Sequence, residues 1–440
     1  GDLTLYAVLV TQLDVVGLSL SAVGVMLGVN RLIRVPGNPL AGVLFDRWGR
    51  RPLFVLGMLV GVLSIVGSAL VRTFWPFLIT RLAWGIAWTL INVGGLTIVL
   101  DVSTPANRGR LTGFYNTWMM IGLALGPLVG GFLVDRVGFR AGLLACAAIM
   151  AVGLAVAVAA LPETAPSSAK GAKDAKDAKA VKTARRSSSL PSPRSSVGLR
   201  RRLYVAWQRA LQAIPPAGHP LILVAGLYLI TQLAGEGVVL STVSLLLQQR
   251  FGPEVALGGL VLGVASASGL LLGLRSLLAS AVGPLAGHLS DAHPGRRSER
   301  RSVPPRSERR FGRWPVVVAS LVLGVAGFGL LFRATSLWAI VLGIVLSAVS
   351  GGAGLATLAA LVGDLAPPGR EGTVMGAYAA AGDVGSMAGP FLAFALASAV
   401  GLQWVYLLCT LAFLAGLGLI WRYRRTQVAI DRAGEPGYTT

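Results

Sequence analysis

The stretch Pro39-Leu40-Ala41-Gly42-Val43-Leu44-Phe45-Asp46 returns 245 residues later as Pro284-Leu285-Ala286-Gly287-His288-Leu289-Ser290-Asp291. Further on, Asp101, Gly109, Gly113, Tyr115, Gly126 and Pro127 align with Asp364, Gly372, Gly376, Tyr378, Gly389 and Pro390, each pair 263 apart. Cys146 and Cys409 keep that second offset. The difference, 263 − 245 = 18, is about the size of an Arg-rich loop at 292–314 in the second copy. The chain is one design written twice.

Each copy is made of apolar runs. Hydrophobic residues are 54% of the 440 and charged residues 13%, with a mean hydropathy of +0.70. So few charges cannot cover the surface of a soluble protein of this length. Runs of about 20 residues recur, long enough to cross a bilayer core. They are solid in Leu, Val, Ala and Gly and do not alternate, which predicts helices and not barrel strands. The 57 glycines suit close helix contact in lipid.

A short apolar piece, Leu3 to Val10, leads to Asp14; it is too short to span and reads as the remainder of a first helix. No basic n-region with a cleavage site precedes it. Further helices are predicted at about 19–44, 52–71, 74–100, 110–134, 139–161, 220–248, 257–289, 315–333, 336–363, 373–400 and 402–421. The expected organisation is an all-α membrane protein of twelve transmembrane helices in two six-helix bundles. They occupy 1–161 and 220–424, with a basic low-complexity linker at 162–219 and a tail at 425–440.

The net charge of +21 is concentrated in connections: 12 Lys and Arg between Glu163 and Pro220, and 8 between Ala292 and Trp314. This is the positive-inside pattern, and alternate counting puts those loops and the C-terminus in the cytoplasm, most simply at the plasma (inner) membrane. No aromatic-basic platform accompanies the charge, so nucleic acid is not an expected partner. Two readings stand for Leu199–Ile214: a basic helix on the membrane surface, or a solvated linker helix. No Walker loop or metal-spaced Cys and His set occurs, and the three histidines are His219, His288 and His293. No enzyme activity and no cofactor are expected, so energy must come from an ion gradient or the substrate's own gradient.

The sequence Gly42-Val-Leu-Phe-Asp46-Arg47-Trp-Gly49-Arg50-Arg51 resembles the loop signature between helices 2 and 3 of the major facilitator superfamily, and the resemblance extends over essentially the whole chain. Gly287 to Asp291, followed by Gly295-Arg296-Arg297, is its looser second copy. The glycines permit a tight turn and close helices. Asp46 suits a helix N-terminus, which the resemblance makes that of helix 11. Arg50 is then placed to pair with Asp101. The resemblance implies that this cluster, with Asp364 as its repeat partner, latches the outward-facing state. Gly113, Gly122, Gly126-Pro127 and Gly130-Gly131 reproduce the helix 5 motif of the family's proton-coupled drug exporters. There the glycines form a groove for a neighbouring helix and the proline bends the chain. A helix packed closely for stability alone uses glycine in the same way.

Deep charges mark the candidate site, because an ionised group in an apolar helix faces a cavity or a partner. Arg81 in Arg81-Leu-Ala-Trp-Gly85 resembles the family's basic motif associated with proton transfer. Arg31 and Arg34 share a face of helix 2 with Asn38. Glu236 on helix 7, Arg275 on helix 8 and Asp383 on helix 11 complete the set; structural ion pairing is the competing reading for each. Trp84, Trp88, Asn92, Tyr115, Asn116, Trp118 and Tyr378 are candidates to line a path, or ordinary aromatic packing. Asp383 is the preferred acid for coupling: the equivalent place in the first half is Met120, so the repeat gives no packing reason for an acid there.

The expected function is proton-coupled efflux of small amphipathic molecules by alternating access, with a small-molecule substrate, a proton gradient and the bilayer as partners and the chain acting as a monomer. The alternatives are a carrier of a defined polar or anionic substrate, such as a sugar, organic anion or siderophore, and a flippase for lipid-linked material. The topology is testable. Single cysteines placed in 164–219 should be shielded from an impermeant reagent outside intact cells; labelling from outside contradicts it.

Overall fold

A computed structural model describes residues 2–104, 107–164, 220–257, 259–291, 306–367 and 371–433. The low-complexity linker with its candidate surface helix, the basic stretch containing Gly295, Arg296 and Arg297, and the end of the tail lie outside them. Nearly everything described is helix. The first element, α1 (Asp2–Val8), runs through a 3-10 segment at Leu9–Gln12 and a short turn at Leu13–Val16. Then come α2 (Leu20–Trp48), α3 (Arg50–Leu70), α4 (Phe74–Val102), α5 (Arg108–Val137) and α6 (Phe139–Ala160). The second half holds α7 (Pro220–Phe251), α8 (Val264–Asp291), α9 (Arg306–Arg333), α10 (Leu337–Leu365), α11 (Glu371–Ala399) and α12 (Leu402–Ala433).

Ten of these helices are long and apolar enough to cross a membrane. The long helix outside that group is α2, whose apolar run is broken by Arg31, Arg34, Asp46 and Arg47. Large apolar side chains such as Leu63, Trp75, Ile79 and Val152 point outward, as lipid contact requires and water would not favour. Chain reversals repeat with the sequence: Gly138 (φ 83°) and Gly401 (φ 103°) turn the chain before α6 and α12, 263 residues apart. Only glycine adopts that conformation without strain.

One expectation is corrected. Helix 8 was expected from about 257, but 254–263 forms an antiparallel hairpin, Glu254–Leu257 paired with Leu260–Gly263, and α8 begins at Val264. The cause is local: strand-forming Val and Leu flank Gly258-Gly259, and Gly259 takes φ 95° in the turn.

The two halves meet along α2 with α11 and along α5 with α8. Near the start of α2, a Cβ on Gly24 would lie 2.7 Å from the Pro390 carbonyl, and one on Gly28 would lie 2.8 Å from the Met387 carbonyl. At the matching end of α5, Gly131 abuts the Ala265 backbone, and Gly269 abuts the Pro127 backbone. Beside them the Asp135 carboxylate accepts from the Ser266 backbone N–H at 2.7 Å, capping the first turn of α8 from the other half. At the opposite end, Gly42, Gly113, Gly287 and Gly376 have nothing within 4 Å among the described residues. Among the described residues, the close backbone contacts between the halves lie at the end carrying the hairpin and not at the end carrying the loop signatures.

Losing the Asp135 cap should weaken closure by about 1 kcal/mol, several-fold in the closed-to-open ratio. Ser268 is fully buried at that end. A Ser268→Cys thiol should therefore react with maleimide several-fold faster once Asp135→Ala is added; equal rates would mean that the cap contributes nothing to closure.

Candidate functional site

Between the halves, the deep arginines and acids form a connected cluster. Arg81 on α4 is almost wholly buried; its guanidinium lies 2.5 Å from Asp2 of α1 and its Nε donates to the Met26 carbonyl of α2 at 2.9 Å. Asn30 of α2 reaches Asp2 as well, at 3.4 Å. In the second half, Arg275 of α8 pairs with Glu236 of α7 at 2.9 Å. Arg31 of α2 crosses between halves to the same carboxylate at 3.8 Å, and to the Glu236 carbonyl at 3.4 Å. Glu236 lies in a π-helical segment, Leu233–Val239, flanked by Gly235 and Gly237. A Cβ on Gly235 would lie 3.0 Å from the Arg275 guanidinium. Such wide turns are common at functional sites.

The Asp2–Asn30 contact and the Glu236–Arg275 pair are repeat-related. Asn30 and Arg275 are 245 apart, the offset of the loop signatures. Asp2 precedes the positive-φ Gly17 by 15 residues and Glu236 precedes the positive-φ Gly252 by 16. Each half thus places an acid on its first helix opposite a polar residue on its second. Sequence reading singled out Arg31, Arg81, Glu236 and Arg275 but passed over Asp2 and Asn30; the signal available was the 245 offset applied to Arg275.

Arg34 and Asp383 are set apart from this network. The Arg34 guanidinium stands over the Trp88 ring, 5.4 Å from its centroid, and its buried Nε has no hydrogen-bond partner. Asp383 is half-buried on α11 and within electrostatic reach of Arg34 and of Tyr228 on α7. Among the described residues neither has an ion pair within 4 Å. Tyr228 stacks on Tyr378 with centroids 4.0 Å apart. The Tyr378 hydroxyl, Trp88 Nε1 and Asn38 Oδ1, like Arg34 Nε, are buried polar atoms without hydrogen-bond partners among the described residues. Of the other aromatic candidates, Trp84 is buried and Trp118 is exposed beside Phe114.

The loop signature builds a second cluster at the open end. Arg50 Nε bonds the Asp101 carboxylate at 2.9 Å, as its position predicts, and Arg50 also donates to the Phe45 carbonyl at 2.7 Å. Gly49 turns the corner at φ 89°, and Glu163 accepts the backbone N–H groups of Arg50 and Arg51 at 2.9 and 3.3 Å. In the second half Arg313 forms an ion pair with Asp364 at 3.0 Å. Arg313 is Arg50 + 263 and Asp364 is Asp101 + 263, so the ion pair is duplicated at one offset. Reading the second signature forward from Asp291 led to Arg296 and Arg297; the arginine that meets Asp364 follows the inserted loop instead. The side chains of Asp46, Arg47 and Asp291 lie outside the described residues.

The helix 5 motif divides its work. Gly126 accepts a hydrogen bond from Thr4 of α1 at 2.9 Å, and Gly130 abuts the same side chain. Pro127 and Gly131 meet α8, whereas Gly113 and Gly122 face open space. Cys146 and Cys409 are buried and free.

Comparison with known proteins agrees with this architecture. The family profile of the Major Facilitator Superfamily matches residues 2–303 and 266–437. The chain belongs to that superfamily and is a multi-pass membrane transporter. It is 26% identical over 400 residues to Major facilitator superfamily domain-containing protein 10 of Mus musculus, covering 89% of this chain and 76% of the relative. It is 24% identical over 405 residues to the class C tetracycline resistance protein of Escherichia coli, covering 89% and 87%. Among solved structures, an inward-facing, occupied bacterial homologue of the human lysosomal transporter Spinster superposes with a TM-score of 0.70 at 14% identity, over 97% of this chain and 93% of that one. The human organic anion transporter MFSD10 (TETRAN) gives 0.51 at 24% identity, over 91% and 83%.

Removing one partner of a buried ion pair strands the other, at a cost of about 3–5 kcal/mol. Arg81→Leu should therefore lower thermal stability sharply, and Asp2→Asn added to it should recover part of the loss. An Arg81→Leu protein as stable as the parent would contradict the pairing.

Proposed function

We propose that this transporter is a proton-coupled exporter of small amphipathic molecules, working as a monomer in the plasma membrane by alternating access. The observation that carries the reading is an asymmetry about the central charge cluster: among the described residues the halves are in close backbone contact at one end and not at the other. The open end bears the basic connections 45–51, 101–109 and 364–372, so by the positive-inside bias it faces the cytoplasm, with the C-terminus. The state is then inward-facing, ready to load substrate from inside.

In the export cycle, Asp383 exchanges a proton for substrate. A carboxyl in an apolar helix without an ion-pair partner is open to a proton or to a cationic group of the substrate. Proton and substrate therefore compete for it, and the halves rock between their two end contacts. Glu236, held by Arg275 and Arg31, keeps its charge as a fixed structural anion. When the open end closes, Asp46 reaches the N-terminus of α11 and the Arg50–Asp101 cluster becomes the latch. The likeness to the tetracycline resistance protein supports export. A second reading, carriage of an organic anion, draws on Arg34 and on the substrate class named for the human structural neighbour.

Transport of fluorescent amphipathic dyes into inverted vesicles, with and without an imposed proton gradient, tests the proposal. Asp383→Asn should abolish gradient-driven accumulation while leaving downhill exchange. Full gradient-driven transport in Asp383→Asn, with its loss in Glu236→Gln, would assign coupling to the other acid. Accumulation by the unaltered protein that ignores the gradient would remove the coupled reading altogether.

A further inference from the structure

The central cluster contains four arginines, Arg31, Arg34, Arg81 and Arg275, and three acids, Asp2, Glu236 and Asp383. Three of the arginines are held by Asp2 and Glu236 at 2.5 to 3.8 Å. What remains is one positive group, Arg34, and one negative group, Asp383, on opposite halves. They lie on α2 and α11, which pack on each other and touch at Gly28 and Met387, yet among the described residues they make no ion pair within 4 Å. A guanidinium and a carboxylate facing each other in an apolar surrounding close into a bidentate pair unless something else satisfies them. Around the pair, polar atoms are likewise unspent: Arg34 Nε, Asn38 Oδ1 and Trp88 Nε1 on the first half, and the Tyr378 hydroxyl on the second. Flat aromatic faces flank each charge, Trp88 beneath Arg34 and the Tyr228–Tyr378 stack on the Asp383 side.

From this arrangement we infer that the site selects amphoteric aromatic molecules: an anionic group on Arg34, a cationic group on Asp383, and a ring system between Trp88 and the tyrosine stack. A singly charged ligand would leave one of the two groups buried without its counter-charge, a penalty that disfavours both pure anions and pure cations. A ligand carrying both charges ties the two halves together through itself. The inference rests on the central cavity being the substrate site. It fits the exchange mechanism, because a proton on Asp383 removes the anchor for the cationic group and leaves Arg34 unaltered.

Binding to the purified full chain, with no proton gradient imposed, tests this independently of coupling. Three probes share one ring system: norfloxacin, amphoteric at neutral pH; its N-acetyl derivative, left with the carboxylate; and its methyl ester, left with the ammonium. Quenching of Trp fluorescence reads binding. Norfloxacin should bind at least about tenfold more tightly than either derivative, the size of one buried charge contact. Arg34→Gln should erase the preference over the ester only, and Asp383→Asn the preference over the N-acetyl form only. Arg34→Lys keeps the charge, so it should retain the preference over the ester if Arg34→Gln fails through misfolding. Equal binding of the three probes, binding of none, or a preference untouched by both substitutions overturns the inference. Failure of gradient-driven transport with the binding pattern intact would remove the coupled-export reading and leave this one standing.

Discussion

Guanidinium groups do not give up their proton in a protein, so an arginine in an apolar helix must be matched by an anion or reach water. Four of them sit in the middle of this chain, and matching them organises the fold. Asp2 ties α1 to α4 through Arg81, and Glu236 ties α7 to α8 through Arg275. Arg31 carries the second tie across to the first half. The halves therefore touch at a charged centre as well as at one end, and the centre is a natural pivot. On the hairpin side of it the halves meet through glycine-thin backbone contacts and the Asp135 cap; among the described residues no such glycine contact joins them on the other side.

Pseudo-symmetry then gives each local observation a second instance. The Arg50–Asp101 bond has its copy in Arg313–Asp364, and Asn30 has its counterpart in Arg275. Departures from symmetry are equally informative. Asp383 faces Met120 in the alignment, and Arg34 faces Ala279 at the 245 offset. Neither charge has a charged repeat partner, and these two are left outside the ion-pair network among the described residues. The loop ion pair is duplicated, whereas the ion-paired Arg31, Arg81 and Arg275 of the centre align with Ser276, Ile344 and Asn30.

Much of this was legible in the sequence. Hydropathy placed the apolar spans, although helix 8 begins at Val264 and not 257, helix 9 at Arg306 and not 315, and helix 12 runs on to Ala433 beyond 421; the recurring Pro39–Asp46 octapeptide exposed the two-fold design. Arg50 with Asp101 was readable because a loop signature fixes both. The hairpin at 254–263 was missed because four-residue apolar strands imitate the start of a buried helix, although Gly258-Gly259 marked the turn. Arg313 was hidden by the inserted loop, since counting forward from Asp291 reaches other arginines first. Asp2 carried no signal of its own, as nothing in a one-dimensional pattern tells a helix-1 acid that its partner is 79 residues away (81 − 2) on α4. The Asp135 cap on α8 joins two segments whose contact only the packing of the halves decides.

If the central cluster is a pivot, the two ends must move in opposite senses. Spin-label pairs report this directly: Ser21→Cys with Val400→Cys at the closed end, and Arg110→Cys with Leu289→Cys at the open end, all at exposed positions. Double electron–electron resonance in proteoliposomes, at acidic and alkaline pH, gives both distance distributions under one set of conditions. Rocking about the charged centre predicts two populations at each end, with the long distance at one end rising as the long distance at the other falls. A single unchanging distance at either end, or both ends widening together, would contradict it.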